Sequence, residues 1–135
     1  MLQGPSFHAN GFSSGDFVLK IMKDEMPGIP KISLGIVDVR DVALAHVLAL
    51  DQSKMAISNG KRYLLVEGSY WLEDILGVFK EEFSKYGYKF PSFTVTTSFV
   101  LAIAGLFDSQ VDLIKPFFKR FICFDNSLSR NELGI

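Results

Sequence analysis

The stretch "GIVDVRDVALAHVLAL", Gly35 to Leu50, sets Asp38, Arg40 and Asp41 between two apolar runs and places His46 five residues beyond Asp41. Carboxylates, a guanidinium and an imidazole gathered in one pocket could move a proton or hold an anionic substrate. The local pattern gives them a plainer role. "IVDV" is β-branched and alternates, which predicts a short strand over residues 36–39. "DVALAHVLALDQ" has no alternation, no Gly and no Pro, and predicts a helix over residues 41–51. Asp41 then stands at the helix start, where its carboxylate accepts from unpaired N–H groups and suits the positive end of the dipole. Asp38 and Arg40 become a solvated or paired turn. His46 falls mid-helix among Ala and Val, without the adjacent acid or nucleophile a catalytic histidine needs, and reads as a satisfied core residue. Cys123 is the single cysteine, so it offers neither an internal disulfide nor a metal spacing, and reads as a small buried apolar residue. No catalytic residue and no metal ligand set is expected.

The elements around these residues follow from period and punctuation. "SSGDFVLKIMKDE" predicts an amphipathic helix over residues 14–24, with Phe17, Val18 and Ile21 on one side and Ser13 or Ser14 as its cap. "MPGIP" is a loop. "RYLLVE" predicts a buried strand over residues 62–66. "SYWLEDILGVFKEEFSKYG" predicts a long helix over residues 71–86, with Leu72, Ile75, Val78, Phe79 and Phe83 at helical spacing and Gly87 as its stop. "YKFPSFTV" reads as an irregular connection. Val42, Leu44, Ala45, Val47, Leu48 and Ala49 cover most of the 41–51 helix, which predicts burial on more than one side. Strands alternating with helices imply parallel pairing with right-handed crossovers. The fold class expected is α/β, with short parallel strands and flanking helices.

Composition narrows the field. At 135 residues a single domain, residues 1–135, is expected. A net charge of −1 leaves no electrostatic footprint for nucleic acid. "MLQGPSFHAN" lacks the basic start and apolar run of a signal peptide, which points to the cytoplasm or an organelle matrix. The apolar run "SFVLAIAGLF" is about half the ~20 residues a bilayer span needs, so no transmembrane segment is expected. "VDLIKPFFKRFICF" mixes Lys115, Lys119 and Arg120 with large aromatics, but Pro116 interrupts it, and a helix pair closing over the core is the expected form. Thirteen Phe suit either a large core or a face that another chain covers.

"VDVRDVALAHVLAL" resembles a signature of the extended short-chain dehydrogenases, near the start of their C-terminal part. It is most similar to the dihydroflavonol reductase, cinnamoyl-CoA reductase and aldehyde reductase group. Other pieces fall in the same order: "GPS" at Gly4–Ser6 resembles the Gly-Pro after the sixth strand, "NGKRYLLVEG" the "G-R-Y-L" strand, and "FDNSLSRNELG" the closing helix. The resemblance implies the substrate-binding part of an NAD(P)H-dependent reductase, with the Rossmann core absent and the chain beginning at Met1 just past the last strand of that core. Whether the gene continues upstream is the observation that would decide this most directly.

The resemblance also defines what to look for. Such enzymes hold the pyrophosphate on a Gly-rich turn and protonate the carbonyl with a Tyr whose Lys lies four residues on. None of the eleven glycines here forms G-x-x-G-x-x-G or G-x-G-x-x-G, and Tyr63, Tyr70, Tyr86 and Tyr88 are followed at the Tyr-to-Lys spacing by Glu67, Asp74, Phe90 and Ser92. NADP or NAD is therefore implied only if a Rossmann half is supplied, and no cofactor is implied for this chain alone. By the resemblance, Ser13 or Ser14 reaches the dinucleotide, and His8, Asn10 and Phe12 lie on the substrate-side loop. Gly35 stands where flavonoid-type relatives carry a polar substrate contact, which argues against a flavonoid polyol. Three functions remain open: half of a carbonyl (aldehyde, ketone or CoA-thioester) reductase that is not catalytic alone, a non-catalytic remnant serving as an accessory or interaction subunit, and a small-ligand binding module. The resemblance also implies a partner chain, whether a Rossmann half, a second copy or a larger assembly, because the missing half would otherwise leave apolar surface uncovered. Removing a Rossmann half would leave Phe7, Phe12, Phe17 and Val18 exposed.

Overall fold

A computed structural model describes residues 1–5, 13–26, 28–97 and 114–135 of the chain. The elements run β1 (Leu2–Gln3), α1 (Ser13–Met22), β2 (Ile29–Pro30), β3 (Ser33–Asp38), α2 (Val39–Leu50), α3 (Gln52–Ser58), β4 (Gly68–Trp71), α4 (Leu72–Phe83), β5 (Thr94–Val95) and α5 (Ser127–Glu132). The strands form a three-stranded sheet in the order β1-β3-β4 and a parallel pair β2-β5. β1 lies parallel to β3 with Leu2 opposite Val37 and Gln3 opposite Asp38. This is the expected α/β architecture of short parallel strands with flanking helices.

The chain divides into two compact units. One comprises residues 10–34 and 70–122. Its core is Ile21, Ile29, Ile32, Leu72 and Leu76, with Phe17, Phe79, Phe90 and Phe118 packed around it. The Leu72 N–H donates to the Ile32 carbonyl, so the first buried residue of α4 is tied to the link between β2 and β3. Lys31 pairs with Glu73, which also accepts from the Thr94 hydroxyl at 3.2 Å, and the Lys31 ammonium lies 4.3 Å from the centre of the Trp71 ring. α4 passes into a 3-10 turn at Ser84–Tyr86 and stops at Gly87, whose φ of +85° is the left-handed conformation glycine adopts without penalty. Here the expected end of the long helix is met.

The other unit comprises residues 1–9, 35–69 and 123–135. The strand expected at residues 62–66 is not formed; β4 begins six residues later than expected, at Gly68. The physical reason lies in α5. Its Ser129 hydroxyl donates to the Leu64 carbonyl at 3.0 Å and the Asn126 side-chain amide donates to the Val66 carbonyl at 2.6 Å. Two acceptors that a ladder would use are taken by side chains, and residues 62–66 stay outside the sheet.

Other expectations are corrected at the level of packing. Residues 111–113 of the segment expected as a helix pair lie outside the described residues; the part after Ile114 forms a 3-10 turn at Lys115–Phe117 and then runs without regular structure to α5. Phe17 packs against the core of its unit and Val18 is half-buried, so neither is an uncovered face; Phe7 and Phe12 lie outside the described residues. Among the described residues, no helix is long and apolar enough to cross a membrane.

Candidate functional site

The charged turn is a helix cap, but its capping residue is Asp38 and not Asp41. The Asp38 carboxylate accepts from the Arg40 N–H at 2.8 Å and from the Arg40 guanidinium at 2.9 and 2.6 Å, so α2 starts at Val39 and Asp41 falls within the first turn. Arg40 thus donates to the cap twice over, by its backbone N–H and by its side chain. The hydrogen bonds from Arg40 hold the Asp38 carboxyl at about 2, well below the usual carboxylate range. A group so strongly held in its ionised form is no proton shuttle at neutral pH.

His46 and Cys123 also depart from expectation. His46 is exposed, and its ring Nδ1 bonds to the Val42 carbonyl one turn back at 2.7 Å. It is a surface residue fastened to its own helix, not a core histidine. Cys123 is exposed rather than buried, because the segment carrying it runs along the surface without a helix to fold it inward. Of α2, only Ala45 is buried. Burial on more than one side is therefore not met, and Leu44, Val47 and Leu50 stay exposed at 48%, 66% and 73%.

Tyr63 has an electrostatic tie opposite to what a catalytic phenol needs. Its hydroxyl donates to Glu132 Oε2 at 2.5 Å, while the Lys61 ammonium pairs with Glu132 Oε1 at 2.6 Å. The hydrogen bond to Glu132 pushes the Tyr63 phenol up to about 12, where it holds its proton firmly. Lys61 and Tyr63 together hold the Glu132 carboxyl below its ordinary value. Lys54 adds a second anchor, donating to the Leu133 carbonyl at 2.7 Å. This polar knot fastens α5 to the 54–63 stretch. No local sequence pattern announces it, because its members lie about seventy residues apart.

The position where flavonoid-type relatives carry a polar contact is closed by the chain itself. A Cβ on Gly35 would meet the Phe124 ring at 2.7 and 2.9 Å and Val66 Cγ2 at 3.1 Å. A small cleft of about 110 Å³ opens beside it, lined by Met1, Gly35, Leu64, Leu65, Val66 and Phe124. Its lining is apolar apart from the Met1 ammonium, which donates to the Gly35 carbonyl.

Of the residues the resemblance assigned to ligand, Ser13 and Ser14 lie in the first turn of α1, past the capping position expected of them. Ser14 is half-buried. His8, Asn10 and Phe12 lie outside the described residues. The same first turn carries Asp16, whose carboxylate opposes an anionic pyrophosphate at this helix start. With Asp16 there and no Gly-rich turn in the sequence, the chain's own residues do not fit a complete dinucleotide site. Among the described residues no group of three or more His, Cys, Asp or Glu could hold a metal ion.

Comparison with known proteins gives the class. No family model matches the sequence. A dihydroflavonol 4-reductase-like protein of Synechocystis sp. is 36% identical over 63 residues, which are 47% of this chain and 18% of that protein. An uncharacterised oxidoreductase of Saccharomyces cerevisiae is 31% identical over 106 residues, 78% of this chain and 25% of that protein. The crystal structure of Gre2 from Candida albicans superposes with a TM-score of 0.61 at 23% identity, over 99% of this chain and 36% of that one, a likeness of fold. The homologues are thus oxidoreductases. More narrowly, the cyanobacterial one is dihydroflavonol 4-reductase-like, in line with the extended short-chain reductase that the "VDVRDVALAHVLAL" signature implied. The chain spans 18% and 25% of the lengths of the two curated relatives.

Proposed function

We propose that this chain is the substrate-domain portion of an NAD(P)H-dependent carbonyl reductase, acting on an aldehyde, ketone or CoA-thioester, and that it does not reduce a carbonyl by itself. One observation carries the reading: the match to an oxidoreductase runs over 78% of the chain, yet the sequence holds neither a Gly-rich phosphate turn nor a Tyr with Lys four residues on. The dinucleotide would be held by a Rossmann portion, with Ser13 or Ser14 adding a hydroxyl or backbone contact and His8, Asn10 and Phe12 facing substrate. The closed position at Gly35 supports a substrate less polar than a flavonoid polyol.

The test is complementation. The purified chain is assayed for NADH and NADPH oxidation with aldehydes and ketones, alone and after mixing with the Rossmann portion of the cyanobacterial relative. Turnover only in the mixture is the expected result. Turnover by the chain alone, surviving stringent removal of contaminating reductases, overturns the proposal. A stable complex that never turns over replaces it with the second reading, an accessory subunit without catalysis. The exposed apolar side chains of α2 favour that second reading to the extent that they call for a covering chain.

A further inference from the structure

We propose that α2 is a self-association surface, on which a second copy of this chain docks its own α2 antiparallel. The helix has two apolar sides of different fate. Val42, Ala45 and Ala49 turn inward, Ala45 being buried and the other two half-buried. On the opposite side Arg40, Leu44, Val47 and Asp51 recur at spacings of four, three and four residues, which places them in one stripe along the helix. Leu44 and Val47 are exposed at its centre, with Leu50 exposed beside them.

The ends of the stripe identify the occupant. Arg40 is cationic, with 82% of its side chain accessible, and Asp51 is an exposed anion. Turned antiparallel about a two-fold axis between residues 45 and 46, the stripe is its own complement. Leu44 meets Val47 of the second copy, Val47 meets its Leu44, and each Arg40 meets the other copy's Asp51. A parallel pairing would instead set Arg40 on Arg40 and Asp51 on Asp51. Symmetry thus makes both charge pairs at once, as an isologous dimer requires. The existing bonds of these groups leave room for it. Asp38 engages the Arg40 Nε and Nη2, and Ser53 engages Oδ1 of Asp51. A contact centred on one 12-residue helix is small, which makes the dimer a weak one.

Sedimentation equilibrium of the whole chain, with no reductase activity required, tests this independently of the proposed function. The expected result is a monomer–dimer equilibrium with a dissociation constant of micromolar order, raised at least tenfold by Val47→Asp. Val78→Asp, at a site of 65% exposure on α4 against 66% for Val47, should leave it unchanged. The decisive arm uses charge. Arg40→Asp and Asp51→Arg should each abolish self-association, yet the two variants mixed should form a heterodimer, since the mixture restores both opposite-charge pairs. Circular dichroism confirms that each variant is folded before it is scored. A wild-type chain that stays monomeric at 100 micromolar (about a hundredfold above that order), equal effects of the Val47 and Val78 variants, or failure of two folded charge variants to associate when mixed each overturns the proposal.

Discussion

Gly35→Ala is a direct test of how the apolar cleft is closed. An ideal methyl at this position would lie 2.7 Å from the nearest Phe124 ring carbon, against an ordinary contact of 3.4 Å or more, so the ring must retreat by about 0.7 Å. Val66 Cγ2, at 3.1 Å, must also give by a few tenths of an ångström. Phe124 is 41% exposed, so it can swing outward, and the cost belongs in the lower part of the ~1–3 kcal/mol typical of overpacking. Against this stands the reduced conformational entropy of the unfolded chain, worth roughly 0.4–1 kcal/mol in favour of alanine where the backbone angles allow it. The net expectation is a destabilisation of up to about 1.5 kcal/mol. Urea unfolding followed by circular dichroism reads this as a lower midpoint at unchanged slope. Gly35→Ala combined with Phe124→Leu should lose less than the sum of the two single changes, because the smaller side chain removes the collision. A stabilised Gly35→Ala, or strictly additive effects in the double variant, would show that Phe124 does not close this position.

Three further outcomes follow from particular side chains. Leu72→Ala, at a residue with no accessible surface in the core of its unit, should cost ~2–5 kcal/mol by denaturant unfolding; a loss below 1 kcal/mol would mean that core is not assembled as described. Glu73, held below its ordinary value chiefly by the hydrogen bond from Lys31, contributes stability that is complete above the unfolded value of 4.5. That contribution is lost as pH falls through the lower folded value, so Glu73→Gln should flatten the acid limb of the stability profile, modestly because the pair is partly solvated; an unchanged limb would count against the Lys31 pair. The Tyr63 phenol, raised to about 12, should ionise well above 10.0 in an ultraviolet pH titration, and Glu132→Gln should bring it down towards 10.0; a Tyr63 that already titrates at 10.0 in the wild-type chain would refute the Glu132 bond.

What was legible in the sequence is what neighbours along the chain decide. α2 and α4 were readable from composition and spacing, and the end of α4 from Gly87, because a helix is set by residues three and four apart and its stop by a single φ. The α/β class and the kinship with reductases were readable too, through a contiguous motif. Even locally there was a limit: two aspartates three apart could each cap α2, and the Arg40 side chain folding back onto Asp38 selected the earlier one. Tertiary structure alone decided burial and the partners of backbone acceptors. "RYLLVE" has the composition of a strand, but Ser129 and Asn126, over sixty residues away, take two of its carbonyls. His46 reads as a core residue from its apolar neighbours and Cys123 from the usual burial of a free thiol, yet burial depends on what distant chain arrives, and both positions are exposed. The outer side of α2 is the same case: Leu44 and Val47 are as apolar as the inward residues, and only the packed structure shows which of the two sides was left uncovered.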